Sequence, residues 1–131
     1  MSVVVGNIPT KEGRAALHHA AQEARLRGCA LLVVTAPATG RATDADSDTS
    51  ALLDSLRAEL GEAGLELREE QADEGREPAD HLIDLATAND AQCIVIGLRR
   101  RTPIGKLILG SNAQRVLLEA PCPVGAVKAA S

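Results

Sequence analysis

Residues 93–97 read CIVIG, an unbroken apolar run that ends at a glycine. A run without a polar face predicts a strand that is buried on both sides of a sheet. Residues 3–5, VVV, and residues 29–35, CALLVVT, have the same character. Strands of this kind are typical of a parallel sheet that lies between two layers of helices. The sequence therefore predicts an α/β fold.

Helical patterns separate these strands. Apolar residues at helical spacing predict a helix over residues 11–27, with Thr10 as its N-cap and Gly28 as the left-handed residue that ends it. A second helix is predicted from four leucines that share this spacing, which are Leu52, Leu53, Leu56 and Leu60.

Two further helices are predicted in the second half of the chain. Pro78 suits the first turn of a third helix, because its missing N–H has no partner there in any case. The predicted buried face of this helix consists of Leu82, Ile83 and Ala86. Ser111 and Gln114 have the spacing of a capping box and predict a fourth helix that runs toward Pro121.

The two remaining strands complete the sheet. Residues 65–69, LELRE, alternate apolar and charged side chains, which indicates a half-exposed strand at a sheet edge. Residues 123–127 form the last predicted strand. Because parallel crossovers are right-handed, these elements fit an open five-stranded parallel sheet of order 3-2-1-4-5 with helices on both faces. This order opens a crevice at the carboxyl ends of strands one and four, between residues 7–10 and residues 97–111.

The chain of 131 residues is predicted to form one domain over residues 1–131. Residues 37–50 are small, polar and acidic, so we expect them to form a flexible loop. The three cysteines are widely spaced and include no C-x-x-C pair, which indicates neither a disulfide framework nor a zinc site. No signal-like start and no apolar stretch near the ~20 residues of a membrane span are present, so we expect a cytoplasmic protein outside membranes.

The composition argues against nucleic acid as a partner. Phe, Tyr and Trp are absent, so the bases of a single strand have no aromatic ring on which to stack. The net charge of −4 also lacks the surplus of Lys and Arg that binds phosphate backbones. We therefore expect no nucleic-acid partner.

Residues 97–112, GLRRRTPIGKLILGSN, have a composition that the requirements of the fold do not explain. Three consecutive arginines bring positive charge, Gly110 permits close backbone approach, and Ser111 offers a hydroxyl group at a helix start. The free N–H groups of a helix N-terminus favour an anion, and we expect that anion to be a phosphate group. Composition alone leaves a second interpretation open, in which the glycines serve turns and the arginines form a solvated basic turn.

Other motifs are incomplete. The Gly105-Lys106 pair lacks the spacing and the hydroxyl residue of a Walker loop. Asp44, Asp46 and Asp48 imitate the start of a calcium loop, but its glycine and its bidentate glutamate are missing. The histidines lack metal-ligand spacing, and the sequence contains no nucleophile elbow. We therefore expect no metal site and no catalytic residue, with weak ATP hydrolysis as the most that the chain would catalyse.

The glycine-rich segment resembles the signature G-x2-G-x9-G-[ST] of the universal stress protein family. Gly97, Gly110 and Ser111 fall on its first glycine, its last glycine and its hydroxyl position. The likeness continues to residues 117–124, LLEAPCPV, which are similar to the usual ending of the family. The resemblance implies an adenine nucleotide alpha hydrolase-like fold with sheet order 3-2-1-4-5 and a homodimer joined through the last strand. In one branch of the family it also implies ATP or AMP in the crevice.

Two positions depart from the nucleotide-binding branch. Arg100 replaces the second glycine of the signature, and Ile8 stands where that branch carries an aspartate. Arg100 adds bulk and a permanent charge, so it either blocks or clamps a phosphate. With the positions that the resemblance adds, the predicted nucleotide site consists of Ile8, Pro9, Thr10, Val34, Gly97, Arg99, Arg100, Gly110, Ser111, Asn112 and Ala113.

The last strand forms an open edge, and open edges favour pairing with a second copy. The predicted dimer contacts are therefore Val124, Ala126 and Val127, unless Pro123 and Lys128 protect this edge. Three functions remain open. The first is a cytoplasmic stress-response homodimer that binds an adenine nucleotide or another phosphorylated small molecule. The second is a protein of the same fold that binds no nucleotide and acts as an interaction module for an unidentified protein partner. The third is a weak nucleotide hydrolase or phosphotransferase that would need a carboxylate within reach of metal and phosphate.

Overall fold

Five strands and four helices alternate along the computed structural model, which describes residues 1–7, 10–35, 44–72, 77–98 and 111–128. For residues 44–47 and residue 111 it describes the backbone alone. The strands are β1 (Ser2–Asn7), β2 (Ala30–Thr35), β3 (Leu67–Gln71), β4 (Ala91–Leu98) and β5 (Val124–Lys128). The helices are α1 (Lys11–Arg27), α2 (Asp44–Glu62), α3 (Pro78–Ala88) and α4 (Ser111–Glu119).

The five strands form one parallel sheet in the order β3-β2-β1-β4-β5. The central strand β1 pairs with strands on both sides, so that Val3 lies opposite Leu31 of β2 and Cys93 of β4. Strand β3 lies at an edge, where Arg68 and Glu69 keep their charged side chains exposed. The α/β fold class and the predicted strand order are therefore confirmed.

Helices cover both faces of the sheet. On one face, α1 and α2 pack against the side chains of Val3 and Val5 in a core that includes Leu17. On the other face, α3 and α4 pack against a second core that includes Val4 and Leu82. Successive residues of β1 thus point to opposite layers, as the pleat of a strand requires. None of the helices in the described ranges is both long enough and apolar enough to cross a membrane.

The two ends of α1 are those that the sequence predicts. The Thr10 side chain accepts a hydrogen bond from the backbone N–H of Gly13 at 3.0 Å and caps the helix. Gly28 adopts a left-handed conformation with a φ of 66°, and its N–H donates to carbonyl groups of the last turn. A side chain is strained at this backbone angle, so glycine is the residue that ends the helix here.

Helix α2 begins earlier than the sequence predicts. Residues 37–50 are expected to form a flexible loop, but residues 44–50 belong to α2, while residues 37–43 lie outside the described part. Thr49 is 4% exposed, so this end of the helix is packed. The acidic residues of the segment suit a helix N-terminus, where the helix dipole favours negative charge. The polarity of this segment therefore fits a helix start as well as a loop, and the backbone shows a helix.

Two smaller features also differ from the prediction. The third strand spans Leu67–Gln71 and not residues 65–69, because the N–H of Leu65 donates to the carbonyl group of Leu60 at 2.8 Å and closes the end of α2. The buried face of α3 consists of Ala79, Leu82 and Ala86. Ile83, which is predicted to be buried, is only half-buried.

The three cysteines are free thiols that the fold covers to different degrees. Cys29 and Cys93 are 5% and 6% exposed, whereas Cys122 is partly buried. Burial raises the pKa of each thiol above the ordinary value of 9.0.

We expect iodoacetamide to modify Cys122 at least about tenfold faster than Cys29 and Cys93 in the folded protein at mildly alkaline pH. The physical reason is that only an accessible thiolate reacts. Peptide mass spectrometry over a time course measures the three rates, and the urea-unfolded chain, in which all three should react alike, is the control. Equal rates in the folded protein would contradict this burial pattern.

Candidate functional site

The carboxyl ends of β1 and β4 form the centre of the candidate site. β1 ends at Asn7 and β4 ends at Leu98, and the chain order reverses between these neighbouring strands. Helix α1 follows β1, and α4 follows β4 and begins at Ser111, so the N-termini of these two helices lie on the side of the sheet where β1 and β4 end. In open α/β sheets, this point of reversal is where a ligand binds.

Gly97 brings β4 and α1 into direct contact. A Cβ atom placed on Gly97 would lie 2.6 Å from the carbonyl oxygen of Glu12 and 2.8 Å from its carbonyl carbon. Backbone atoms this close leave no room for any side chain, so only glycine fits. The sequence assigns Gly97 to a phosphate-binding loop, and the structure adds that the first turn of α1 packs on it. Gly97 therefore sets how closely α1 lies to the end of β4.

Thr10 and Val34 are both held by the fold itself. The Thr10 hydroxyl oxygen is the acceptor that caps α1, so its lone pairs serve the helix. Val34 is 4% exposed, and its side chain belongs to the core on the α3 and α4 face. Val34 pairs with Gly6 next to the end of β2, so it lies beside the crevice through its backbone. Neither side chain projects freely into a ligand site.

Asn112 and Ala113 connect the first turn of α4 to the rest of the fold. The Asn112 Oδ1 atom accepts a hydrogen bond from the backbone N–H of Ala79 at 3.4 Å. Helix α3 needs this acceptor, because its N-cap residue Glu77 makes no side-chain capping bond. Ala113 is partly buried against the core. The predicted binding residue Asn112 thus acts as a cap for a neighbouring helix.

Arg115 adds a charged contact between the same two helices. Its guanidinium group pairs with Asp80 of α3 and, at 3.1 Å, with Glu119 of its own helix. The hydrogen bonds to Asp80 and Glu119 raise the pKa of Arg115, so it stays charged throughout the accessible pH range. The start of α4 is therefore fixed to the start of α3 by a hydrogen bond and an ion pair.

Several predicted site residues lie outside the described residues. They are Ile8, Pro9, Arg99, Arg100 and Gly110. Ser111 is the first residue of α4, and its backbone N–H is among those that find no acceptor within a helix. Of the predicted site, the structure thus brings together Thr10, Val34, Gly97 and the first turn of α4 at one edge of the sheet.

Asn7 is a candidate ligand contact that no sequence motif includes. Asn7 is 8% exposed, and its Nδ2 atom donates to the Thr35 hydroxyl oxygen at 3.3 Å. Its Oδ1 atom is buried without a hydrogen-bond partner among the described residues. The available signal was a polar residue at the end of an otherwise apolar strand. Buried polar atoms are normally paired, so an unpaired one at this edge is a candidate ligand contact.

Metal ligation has no support within the described ranges. No three side chains of His, Cys, Asp or Glu are grouped there so that they could hold a metal ion. The arrangement instead offers helix N-termini and a buried amide oxygen, which are groups that bind anions and hydrogen-bond donors.

Comparison with known proteins identifies the family. The universal stress protein family model matches residues 1–128. A universal stress protein of Mycolicibacterium smegmatis is 40% identical over 126 residues, which cover 96% of each chain. The solved structure of a universal stress protein from Archaeoglobus fulgidus is 39% identical with a TM-score of 0.73, and the match covers 98% of each chain.

A further solved structure contains a ligand. The universal stress protein from Archaeoglobus fulgidus in complex with dAMP is 34% identical to this chain, with a TM-score of 0.69 and 98% of each chain covered. Residues 1–128, which the family model matches, include every strand and helix described above. On this sequence identity and coverage, the chain belongs to the universal stress protein family.

Proposed function

We propose that this protein binds an adenine nucleotide, AMP or ATP, in the crevice between β1 and β4 and acts as a stress-response regulator. The observation that carries the proposal is the Archaeoglobus fulgidus relative in complex with dAMP, which is 34% identical over 98% of each chain. Because the two chains are similar over almost their whole length, the ligand of the relative supports an adenine nucleotide as the ligand of this chain. A cytoplasmic location is part of the proposal, since three free cysteines suit a reducing compartment.

The start of α4 suits the phosphate end of the nucleotide. Gly110 and Ser111 match the end of the family signature, and α4 begins at Ser111. The first turn of a helix carries unpaired N–H groups and partial positive charge, which together favour a phosphate. The hydrogen bond between Asn112 and Ala79 holds this turn in place before the ligand arrives.

The proposed function is binding and not catalysis. At position 8 the chain has isoleucine, where the nucleotide-binding branch of the family carries an aspartate. A carboxylate at that position would contact the sugar or a metal ion, and its loss lowers the expected affinity for a metal-bound nucleotide. We therefore propose that nucleotide binding changes the shape or the partner choice of the protein, with ATP hydrolysis at most weak.

Calorimetric titration with AMP tests the proposed phosphate position. Gly110→Leu places a bulky side chain beside the proposed phosphate and is expected to weaken AMP binding about hundredfold. Gly61→Leu is the matched control, because nothing lies within 4 Å of a Cβ atom at Gly61 on the exposed side of α2. Equal AMP affinities of the two variants would contradict the phosphate position.

We also propose a homodimer that is joined through β5, which pairs only with β4 within the described sheet. The N–H of Ile94 donates to the carbonyl group of Pro123 at 3.0 Å. Because backbone groups of a parallel strand alternate in direction, every second residue of β5 directs its N–H and carbonyl groups away from β4. These outward residues are Val124, Ala126 and Lys128.

Apolar side chains that are exposed or partly exposed on α4 and β5 support the dimer. Leu117 and Leu118, on the helix that precedes β5, are 41% and 85% exposed. The side chains of Val124 and Val127 are only partly buried, and Ala126 is exposed. Exposed apolar side chains and an open strand edge are each typical of an interface. A second copy of the chain would pair with the edge and cover these groups.

A second candidate function is an interaction module that binds no nucleotide. The exposed Leu118 favours it, because a protein partner could cover this side chain as well as a second copy could. Ile8 and Arg100, the two departures from the nucleotide-binding branch, also favour it. Failure of the purified protein to take up AMP or ATP would support this function over the first.

A further inference from the structure

Strand β3 leaves a second edge of the sheet open, because it pairs only with β2 within the described sheet. The carbonyl group of Glu66 accepts a hydrogen bond from the N–H of Leu31, and the N–H of Ala72 donates to the carbonyl group of Thr35. The even-numbered residues of this segment therefore direct their backbone groups toward β2, and the odd-numbered ones direct theirs outward. The outward residues of β3 are Leu67, Glu69 and Gln71.

The charged side chains of this edge are divided between the two faces of the sheet. Glu69 lies on the face of α2, where its carboxylate pairs with the guanidinium group of Arg57 at 2.8 Å. Arg68 and Glu70 lie on the opposite face, because neighbouring residues of a strand point to opposite sides. They pair with each other at 3.4 Å, and their side chains are 45% and 37% exposed, so a partner strand can reach both.

A second copy of β3 complements this charge pattern. In an antiparallel pair centred on Glu69, the outward residues lie opposite one another and exchange both of their N–H···O bonds. The same register places Arg68 of each copy opposite Glu70 of the other, at the positions where side chains of two strands lie closest. The two Glu69 side chains also meet, and Arg57 beside each of them offsets its charge. A register centred on Arg68 or on Glu70 would place like charges opposite each other, which is destabilising.

We propose that this edge is a second self-association surface, in which β3 pairs antiparallel with β3 of another copy in the register centred on Glu69. Charged side chains at a strand edge oppose pairing with most other strands, so this surface selects a partner with the reciprocal charges. A second copy of the chain supplies them through twofold symmetry. Because β3 and β5 lie at opposite edges of the sheet, this contact and the proposed β5 dimer can form together and join the copies into a row.

The pairing through β3 is expected to be weak. The strand has five residues, and exposed ion pairs contribute little free energy in water. We expect a dissociation constant of about 100 µM, which is typical of a transient contact. At low micromolar concentration the protein then shows only the association that β5 provides, and the β3 surface is occupied at high concentration.

Reversal of single charges tests the pairing. Arg68→Glu gives β3 two acidic side chains on this face, and Glu70→Arg gives it two basic ones, so two copies of either variant bring like charges together. We expect each variant alone to associate at least about tenfold more weakly than the wild-type protein. Sedimentation equilibrium at concentrations from about 5 µM to about 500 µM measures the dissociation constants.

A mixture of the two variants is the matched control. The acidic strand of Arg68→Glu then faces the basic strand of Glu70→Arg, so opposite charges are paired again. We expect the mixture to associate with a dissociation constant within about threefold of the wild-type value. The double variant Arg68→Glu/Glu70→Arg, which keeps the net charge of the wild-type protein, is expected to do the same.

The outcomes separate this inference from the β5 dimer and from nucleotide binding. In Ala126→Pro, proline removes an outward N–H group of β5, so the same series of variants in that background reports on β3 alone. Equal association of the wild-type protein and both single variants would overturn the β3 contact, and so would a wild-type protein that gains no mass up to about 500 µM. Failure of the mixture to associate would overturn the register centred on Glu69. Each of these results leaves the β5 dimer and the nucleotide proposal standing.

Discussion

Replacing Gly97 with alanine is expected to lower the free energy of unfolding by about 3 kcal/mol. The added Cβ atom would lie 2.6 Å from the carbonyl oxygen of Glu12, so α1 must move away from β4. Helix α1 covers the centre of the sheet, and its side chains Leu17 and Ala20 are fully buried there. A shift of this helix therefore loosens the core and not only one contact.

Gly61→Ala is the matched control for this substitution. Gly61 lies in α2, has no atom within 4 Å of its Cβ position, and has no positive φ. Alanine there should raise the free energy of unfolding by about 0.5 to 1 kcal/mol, because glycine is the poorer helix residue. Urea unfolding followed by circular dichroism measures both variants. Stability of Gly97→Ala within about 0.5 kcal/mol of the wild-type value would contradict the packing of α1 on β4.

Ala126→Pro is expected to convert the proposed dimer into a monomer, with the dimer dissociation constant raised at least about hundredfold. The Ala126 N–H points away from β4, because the odd-numbered neighbours Gly125 and Val127 face that strand. Proline removes this outward donor and blocks pairing with a second β5. It leaves the ladder to β4 intact.

Ala126→Ser is the control for the dimer prediction, because it changes the side chain and keeps the N–H. Sedimentation velocity should give a dimer for Ala126→Ser and a monomer for Ala126→Pro. Ala126→Pro should also unfold in urea in one cooperative transition, which shows that its monomer is folded and excludes a folding defect as the cause. A dimer that survives Ala126→Pro would show that β5 is not the interface.

The sheet could be predicted from the sequence because its central strands consist of apolar residues. Residues 3–5 and residues 93–97 carry no polar side chain, so both faces of these strands are expected to be buried. The charged alternation of the third strand assigns it to an edge by the same reasoning, and the observed order agrees. Burial on both faces is a strong constraint, and few arrangements of five parallel strands satisfy it.

The start of α2 could not be predicted by the same reasoning. Its first residues, 44–50, are polar and acidic, a composition that suits a loop and a helix N-terminus equally. The strand shift at Leu65 has a similar origin, because its bond to Leu60 is a contact at the helix end that no periodicity shows. Local composition indicates that a boundary is near, whereas hydrogen bonding decides its position.

For the candidate site, the sequence motif predicts the location but not every role of the residues there. The glycine signature locates the edge of the sheet where Gly97 and the start of α4 lie, but it assigns Gly97 to the ligand when the residue also serves helix packing. It also assigns Asn112 to the ligand, and the structure shows it capping α3. Asn7 belongs to no motif, so only its unpaired buried atom identifies it as a candidate contact.

The near-ultraviolet absorption spectrum of the purified protein tests the central claim most directly. The chain contains no Trp, Tyr or Phe, so a bound adenine would dominate the spectrum. The nucleotide account predicts an adenine absorption band, either in the protein as purified or after addition of AMP and removal of the unbound excess. Chromatography of the material released by acid should then give one nucleotide per site. A spectrum without this band under both conditions would contradict the nucleotide account and leave the interaction module as the function.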